Sequence, residues 1–598
     1  MMTHLNHKLY VLFVICSFFS KLTISSLTDV TSKSLGVNSE GSIAAFGDFN
    51  ADKHIDIFVL LENGRPTYLM FSMKQETGYH VTSNTECKMG GMVRIELEPW
   101  HCQSKAEDPY RIQDLIDISK QGGDCVTITG VLPGDYNGDN QMDILITCQS
   151  QGQTDISVSV YIYWGSQRNI NVDKLVDQPM ILDVNGDMIP DLFGEKSPGQ
   201  RYFWIFGDSK TNYTEVPISN SSIPGGFLPL KQPQSSAFVD MNGDLNADLC
   251  VLSEINSKPQ LEIWHRTTEE PNFVFFQNIP LMPEGMKMYG QASFVDLDGN
   301  GVIDMLIPVC KDELCTQSFI SVMHKIGDKY QWALLPISFT SLDMIWGFFP
   351  NTKSPGINYN TNTLRMGDFN LDGYPDILTV IQNTTKGNMT QRAVMLYNVP
   401  CQGSQCGGFS RTFQISWRTS FHGIKEKGLL PAFYDYHENG ILDVIVTTQT
   451  EDKNYKIHLW QHTFTEDACF LKVMVLSGLC YNNCPLNKEP YGVNQPGPVV
   501  KYNTLDNNGD PQTGTGIPTQ EKKTKTKTFK SIIPNSQIVI IPYPINDPSS
   551  RLVLLTGAAL LGTCGFIAGI VGILHWREKV EDKKEKLQEA HKFHFDAM

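Results

Sequence analysis

Aspartate and asparagine recur in this chain at a spacing suited to holding a hard cation. In Asp368-Phe369-Asn370-Leu371-Asp372-Gly373-Tyr374-Pro375-Asp376, oxygen-bearing side chains fill positions one, three, five and nine of a nine-residue loop. Short side chains at alternate positions face one centre as the backbone curls, and the Tyr374 carbonyl at position seven can add another oxygen. Carboxylate, amide and carbonyl oxygens in a flexible loop are the ligands Ca²⁺ takes, and Gly373 at position six permits the sharp turn. Unlike an EF-hand, the loop runs straight into apolar Ile377 and Leu378. A single copy could be no more than an Asx-rich surface turn.

Six variants repeat the pattern. They place Asp48, Asn50, Asp52 and Asp56; Asp135, Asn137, Asp139 and Asp143; Asp183, Asn185, Asp187 and Asp191; and Asp240, Asn242, Asp244 and Asp248. Asp296, Asp298, Asn300 and Asp304 follow, and the last copy keeps Asp435 and Asp443 but puts His437 and Asn439 between them. Fewer anionic ligands bind Ca²⁺ more weakly, so the 435 loop is expected to be the weakest or empty. The 48 loop lacks glycine at positions four and six, where Ala51 and Lys53 stand.

Each loop sits between short apolar runs, as in Asp143-Ile144-Leu145-Ile146, so the local unit is strand, metal loop, strand. Successive first aspartates are 87, 48, 57, 56, 72 and 67 residues apart. Repeats of that length, built from short strands, bury their faces against one another. Seven copies predict an all-β fold, a closed seven-bladed β-propeller. Aromatic strands recur after the loops, as in Val160-Tyr161-Ile162-Tyr163-Trp164, Tyr202-Phe203-Trp204-Ile205-Phe206 and Ile457-His458-Leu459-Trp460. They read as packing between blades, in preference to a carbohydrate or base-stacking surface.

The 598 residues are 41% hydrophobic and 19% charged, which suits a folded chain, and a net charge of −16 argues against a nucleic-acid partner. The seven loops hold 20 aspartates at ligand positions, so bound Ca²⁺ would offset much of that charge. Residues 1–25 have the form of a secretory signal peptide, with Leu9 to Phe19 as its apolar run. Eleven residues are too few for a membrane anchor. The propeller is assigned to 27–465, with an excursion from Met73 to Cys125. Sequons at Asn212, Asn220, Asn383 and Asn388 suit glycosylation in an exported protein.

Outside the signal peptide and the membrane segment lie twelve cysteines, an even number. Cys310/Cys315 and Cys401/Cys406 are close enough to clip loop bases, and Cys87/Cys102 could close the excursion. Zinc is the competing reading for Cys469, Cys480 and Cys484, but their spacings lack histidine partners. Cys250 reads as a buried thiol. Residues 466–548 read as a small membrane-proximal β-domain, broken by a solvated loop between Asp506 and Lys530. Asp506-Asn507-Asn508-Gly509-Asp510 has the wrong spacing for a metal loop and reads as a turn. Residues 552–574 carry no charge and are long enough to cross a bilayer. Six Lys or Arg in 575–598, against none in 531–550, make 575–598 a cytoplasmic tail. Gly565 and Gly569 form one GxxxG that could pair helices.

These repeats resemble the FG-GAP propeller of integrin α subunits and, more closely, the T-cell immunomodulatory protein (linkin) family. The closer resemblance extends to Pro490-Tyr491-Gly492-Val493-Asn494-Gln495-Pro496-Gly497-Pro498 and to the end, Gly572 to Trp576 and Glu589 to Met598. The Gly-Phe-Phe-Lys-Arg juxtamembrane motif of integrin α chains is absent. The resemblance implies a type I plasma-membrane glycoprotein acting in cell adhesion and in modulation of T-cell responses. It also implies tail partners such as RuvB-like ATPases and tubulin. A shed ectodomain acting as a soluble signal is the alternative. An enzyme is a further class, since propellers host hydrolases. No nucleophile elbow, HExxH pair or P-loop is present, and the aspartate clusters are already taken up by the loops.

Overall fold

The computed structural model describes residues 26–35, 39–47, 55–62, 66–73 and 111–117, most of 127–476, then 493–497, 500–505, 511–516, 536–540 and 549–595. The chain divides into two compact units, Met1–Pro542 and Tyr543–Met598. The first is all-β and propeller-like. Six antiparallel sheets each use strands consecutive in sequence, and a further sheet joins Ser26–Asp29 to three strands from the far end of the repeats.

Sheet one runs from Ser42–Gly47 through Asp56–Glu62 and Pro66–Met73 to Arg111–Asp117. Sheet two spans Thr127–Gly134 to Arg168–Leu175, sheet three Met180–Leu182 to Thr214–Pro217, and sheet four Ala237–Val239 to Phe273–Pro280. Sheets five and six run from Met288–Tyr289 to Lys329–Leu334 and from Thr340–Ser341 to Arg411–Ser416. In the composite sheet the order is Ser26–Asp29, Tyr455–Thr463, Asp443–Gln449, Lys427–Tyr434.

The strands that follow the loops open on apolar runs because both their faces are covered. Asp143–Gln149, Asp304–Cys310 and Asp376–Asn383 are buried at every position. Alternate residues serve two neighbours: Leu145 joins Leu192 and Trp204 of sheet three, while Ile144 and Ile146 join Phe58 of sheet one. Comparable cores join sheets three to four, four to five and five to six. The composite sheet packs Val444 and Trp460 against Leu378 and Met395 of sheet six, and Ile445 and Leu459 against Ile43 and Ile57 of sheet one. The aromatic strands are core, as expected, with Trp204, Trp264 and Trp460 all buried.

Beyond the repeats, Leu471–Val475 pairs in parallel with Ser536–Ile540, and Val500–Leu505 pairs antiparallel with Pro511–Gly516. The second pair corrects the sequence reading, which placed 511–516 in a solvated loop. Likewise the Met73–Cys125 excursion holds the outer strand Arg111–Asp117 of sheet one. Both disulfides expected from spacing are present, Cys310–Cys315 and Cys401–Cys406. Cys148 is also disulfide-bonded, to a partner outside the described residues. Cys250 is a buried free thiol. The signal peptide, Cys87/Cys102, Cys469/Cys480/Cys484, the turn at 506–510 and the sequons at Asn212, Asn220 and Asn388 lie outside the described residues.

The second unit contains one α-helix, Ser549–Phe595. It holds a stretch long and apolar enough to cross a membrane, and it continues without a break through the polar residues beyond 574.

Candidate metal centre

Each described loop joins the first and second main strands of its sheet, and its ninth aspartate opens the second. That aspartate is a clamp. Its Oδ2 accepts the second-position N–H: Tyr136 to Asp143 (3.1 Å), Val184 to Asp191 (2.8 Å), Met241 to Asp248 (3.2 Å) and Leu297 to Asp304 (3.2 Å). Phe369 to Asp376 and Tyr436 to Asp443 repeat the contact, both at 3.2 Å. In four loops Oδ1 also accepts an N–H at the end of the third strand, from Phe206, Arg266, Asn398 and His462 at 2.7–3.1 Å.

The first aspartate closes the turn from the other side. Asp296, Asp368 and Asp435 accept the fifth- and sixth-position N–H groups at 2.8–3.0 Å. Asp183 and Asp240 take the fourth and sixth instead, from Gly186 and Met188 and from Gly243 and Leu245. This bonding draws positions four and six into the left-handed region. Gly299 and Gly301 sit there at φ 71° and 83°, but so do Met188 (70°), Leu245 (67°) and Leu371 (56°). A side chain there costs on the order of 1–2 kcal/mol, and such strain persists only where surrounding bonds over-determine it. Gly373 supplies position six in the sixth loop, whereas the loops at 183 and 240 make the turn there with Met188 and Leu245.

The fifth loop brings its acids closest together. Carboxylate oxygens of Asp296, Asp298 and Asp304 lie within 4.8 Å of one another. Asp298 Oδ1 and Asp304 Oδ1 are buried atoms with no hydrogen-bond partner. A buried acceptor left unbonded is costly, and three like charges at this range disfavour ionisation. Burial, then the Asp298 charge, pushes the Asp304 carboxyl up to about 8. Burial leads at the neighbouring loops too, raising Asp376 to about 8, Asp183 to about 7 and Asp368 to about 6. An all-oxygen set of clustered carboxylates with unbonded oxygens fits a hard divalent cation, whose charge would remove the repulsion.

The loops differ in which cations of the protein stand beside them. The Arg266 guanidinium donates to the Asp183 and Val184 carbonyls of the third loop. Arg411 lies 3.8 Å from Asp372 Oδ2 and stacks 3.5 Å from the centre of the Tyr374 ring. In the fourth loop His265 Nδ1 meets Asn242 Nδ2 at 2.8 Å and Asp248 Oδ1 at 3.3 Å. These three neighbours were not found from sequence, because each comes from a strand outside its loop. In the seventh loop Asp435 and Asp443 keep the same bonding frame with two carboxylates. In the first, Asp56 is buried, while Asp48, Asn50 and Asp52 lie outside the described residues, as does His437. Of the sequons, Asn383 is described, and it is buried with Nδ2 turned to the Met344 sulphur at 3.4 Å.

No protein-family model matches the chain. It is 34% identical over 631 residues to the T-cell immunomodulatory protein of Homo sapiens, across 96% of this chain and 95% of that one. Identity to the Mus musculus protein is also 34%, with the same coverage. Protein linkin of Caenorhabditis elegans is 24% identical across 93% of this chain and 95% of its own. Among solved structures, Trypanosoma rangeli sialidase aligns at TM-score 0.30 and 12% identity, over 60% of this chain and 56% of that one, too remote a likeness to inform fold or chemistry. Identity of this extent from end to end carries family membership with it: the chain belongs to the T-cell immunomodulatory protein family.

Proposed function

We propose that this chain is a single-pass type I glycoprotein of the plasma membrane, with a calcium-stabilised ectodomain that acts in cell adhesion or surface recognition and modulates T-cell responses. The immunomodulatory part is supported by the names of its relatives, and the single span by the one long apolar helix among the described residues. On this reading the composite sheet is the seventh blade, closing the ring between sheets six and one. The domain limits are those read from sequence, 27–465 for the propeller and 466–548 for the membrane-proximal part. The partner is an extracellular or cell-surface protein. Tail partners such as RuvB-like ATPases and tubulin are proposed on resemblance alone, and no catalysis is assigned.

The single observation that carries calcium is the Asp296, Asp298, Asp304 cluster, with its two buried unbonded oxygens. Calcium here is structural: it ties two strands of one blade and removes a repulsion that the folded loop otherwise bears. Calcium-loaded protein in lipid nanodiscs, applied to T cells, should bind the surface saturably and change cytokine release. Failure to bind T cells or epithelial cells would overturn the recognition reading. Tail-free ectodomain accumulating in culture medium would favour a soluble signal over an anchored receptor.

A further inference from the structure

The face of the first unit that carries the loops is not bare. Val493 is buried in the core shared by sheets one and two, in the cluster that contains Phe58, Met142 and Ile144. Four residues on, Gly497 (φ 78°) lies against sheet four, where a Cβ would come within 2.6 Å of the Phe238 ring and 3.3 Å of Ala247 Cβ. Ala247 is the eighth residue of the fourth loop, next to the clamp aspartate Asp248.

Four residues of extended chain reach at most about 14 Å. In that length the segment meets sheets one and two and then sheet four, so it crosses the loop face as a chord. Its near end is tied to the strands beyond the repeats: Gln495 N–H donates to the Val475 carbonyl at 3.1 Å, and Leu476 N–H to the Ile540 carbonyl at 2.9 Å. Asn494 bridges Leu476 as well.

We infer that residues 493–497 form a strap across the loop face, by which a cation in the fourth loop holds the membrane-proximal strands against the propeller. The inference rests on the calcium reading above. A cation held by positions one, three, five and nine fixes the eighth residue beside its last ligand, and Ala247 is the seat of Gly497. Without the cation, the Asp240, Asp244 and Asp248 carboxylates of the fourth loop repel one another and that seat loosens. The strap also occupies the loop face with this chain's own backbone.

Hydrogen–deuterium exchange on the full chain in detergent tests the inference. Peptides covering 493–505 should be protected in calcium and exchange at least tenfold faster after chelation. Gly497→Val should speed exchange there with calcium present, while Asp304–Cys310 stays protected. Val493→Ser should do the same, and serves if Gly497→Val fails to fold. If chelation loosens the loops but leaves 493–505 unchanged, the strap is not coupled to metal and the inference fails while the calcium reading stands. If chelation changes nothing anywhere, both fail.

Discussion

One carboxylate oxygen of Asp304 accepts the Leu297 N–H, and the other is buried and unbonded. Asp298 shares its cluster and also has an unbonded oxygen, so Asp298→Ala should lower calcium affinity at this loop by at least about tenfold. Arg411 already stands beside Asp372, so Asp372→Ala in the sixth loop should cost less. Calorimetric titration of the two variants checks the order, and equal losses would contradict it. A pH dependence follows from the same carboxyls. Without metal, Asp368, Asp183, Asp304 and Asp376 titrate at about 6, 7, 8 and 8, above the ordinary value of 3.8. The folded state therefore holds more protons than the unfolded one, and their stabilisation, complete below about pH 4, is lost as pH rises through 6 to 8. Metal-free melting temperature should fall across that window, and calcium should flatten the fall. Asn383 sits in a sequon yet is buried on Met344, so glycopeptide mapping should find it unmodified. The spacing of the acids along each loop was legible because alternation along one loop is local. That burial is lost on a sequon, as at Asn383, because a sequon names a residue and not its exposure.

Between elements, the clearest tie joins sheets three and four. Arg201 donates to both oxygens of Glu262 at 2.6 and 2.9 Å and to the Leu228 carbonyl at 2.8 Å, and both charged side chains are 1% exposed. Arg201→Met should destabilise the chain by roughly 3–5 kcal/mol by leaving Glu262 charged and buried. Adding Glu262→Met should restore much of that loss in denaturant unfolding. A double variant no more stable than the single would show that the pair matters through shape, not charge. Neither residue stood out in sequence, because a pairing across 61 positions leaves no local trace. The apolar runs and aromatic strands did stand out, since a strand covered on both faces is mostly apolar, although Thr147, Thr379 and Gln382 are buried in such strands too. Pro511–Gly516 was missed for the opposite reason: Pro, Gly and Thr read as a turn, and only pairing with Val500–Leu505 makes a strand of it.

At the scale of the molecule, the composite sheet is the part that sequence could not supply. Ser26–Asp29 pairs with Tyr455–Thr463, with Ser26 opposite Thr463 and Asp29 opposite Trp460, and no repeat signal marks so short a strand. Val30 and Leu35 extend the contact, packing with Ile445, Ile457 and Leu459. Loop spacing was nonetheless legible, because each described loop leads into an apolar strand that its neighbours cover. On the reading proposed above, cation binding holds those units together. Its most direct test is thermal melting of the full chain in detergent, calcium-loaded, chelated, and chelated then resupplied with calcium. Each site filled at a hundredfold excess over Kd adds about 2.7 kcal/mol, so chelation should lower the melting temperature and calcium should restore it. A melting temperature unmoved by chelation, with the protein shown to be metal-free, would contradict the account.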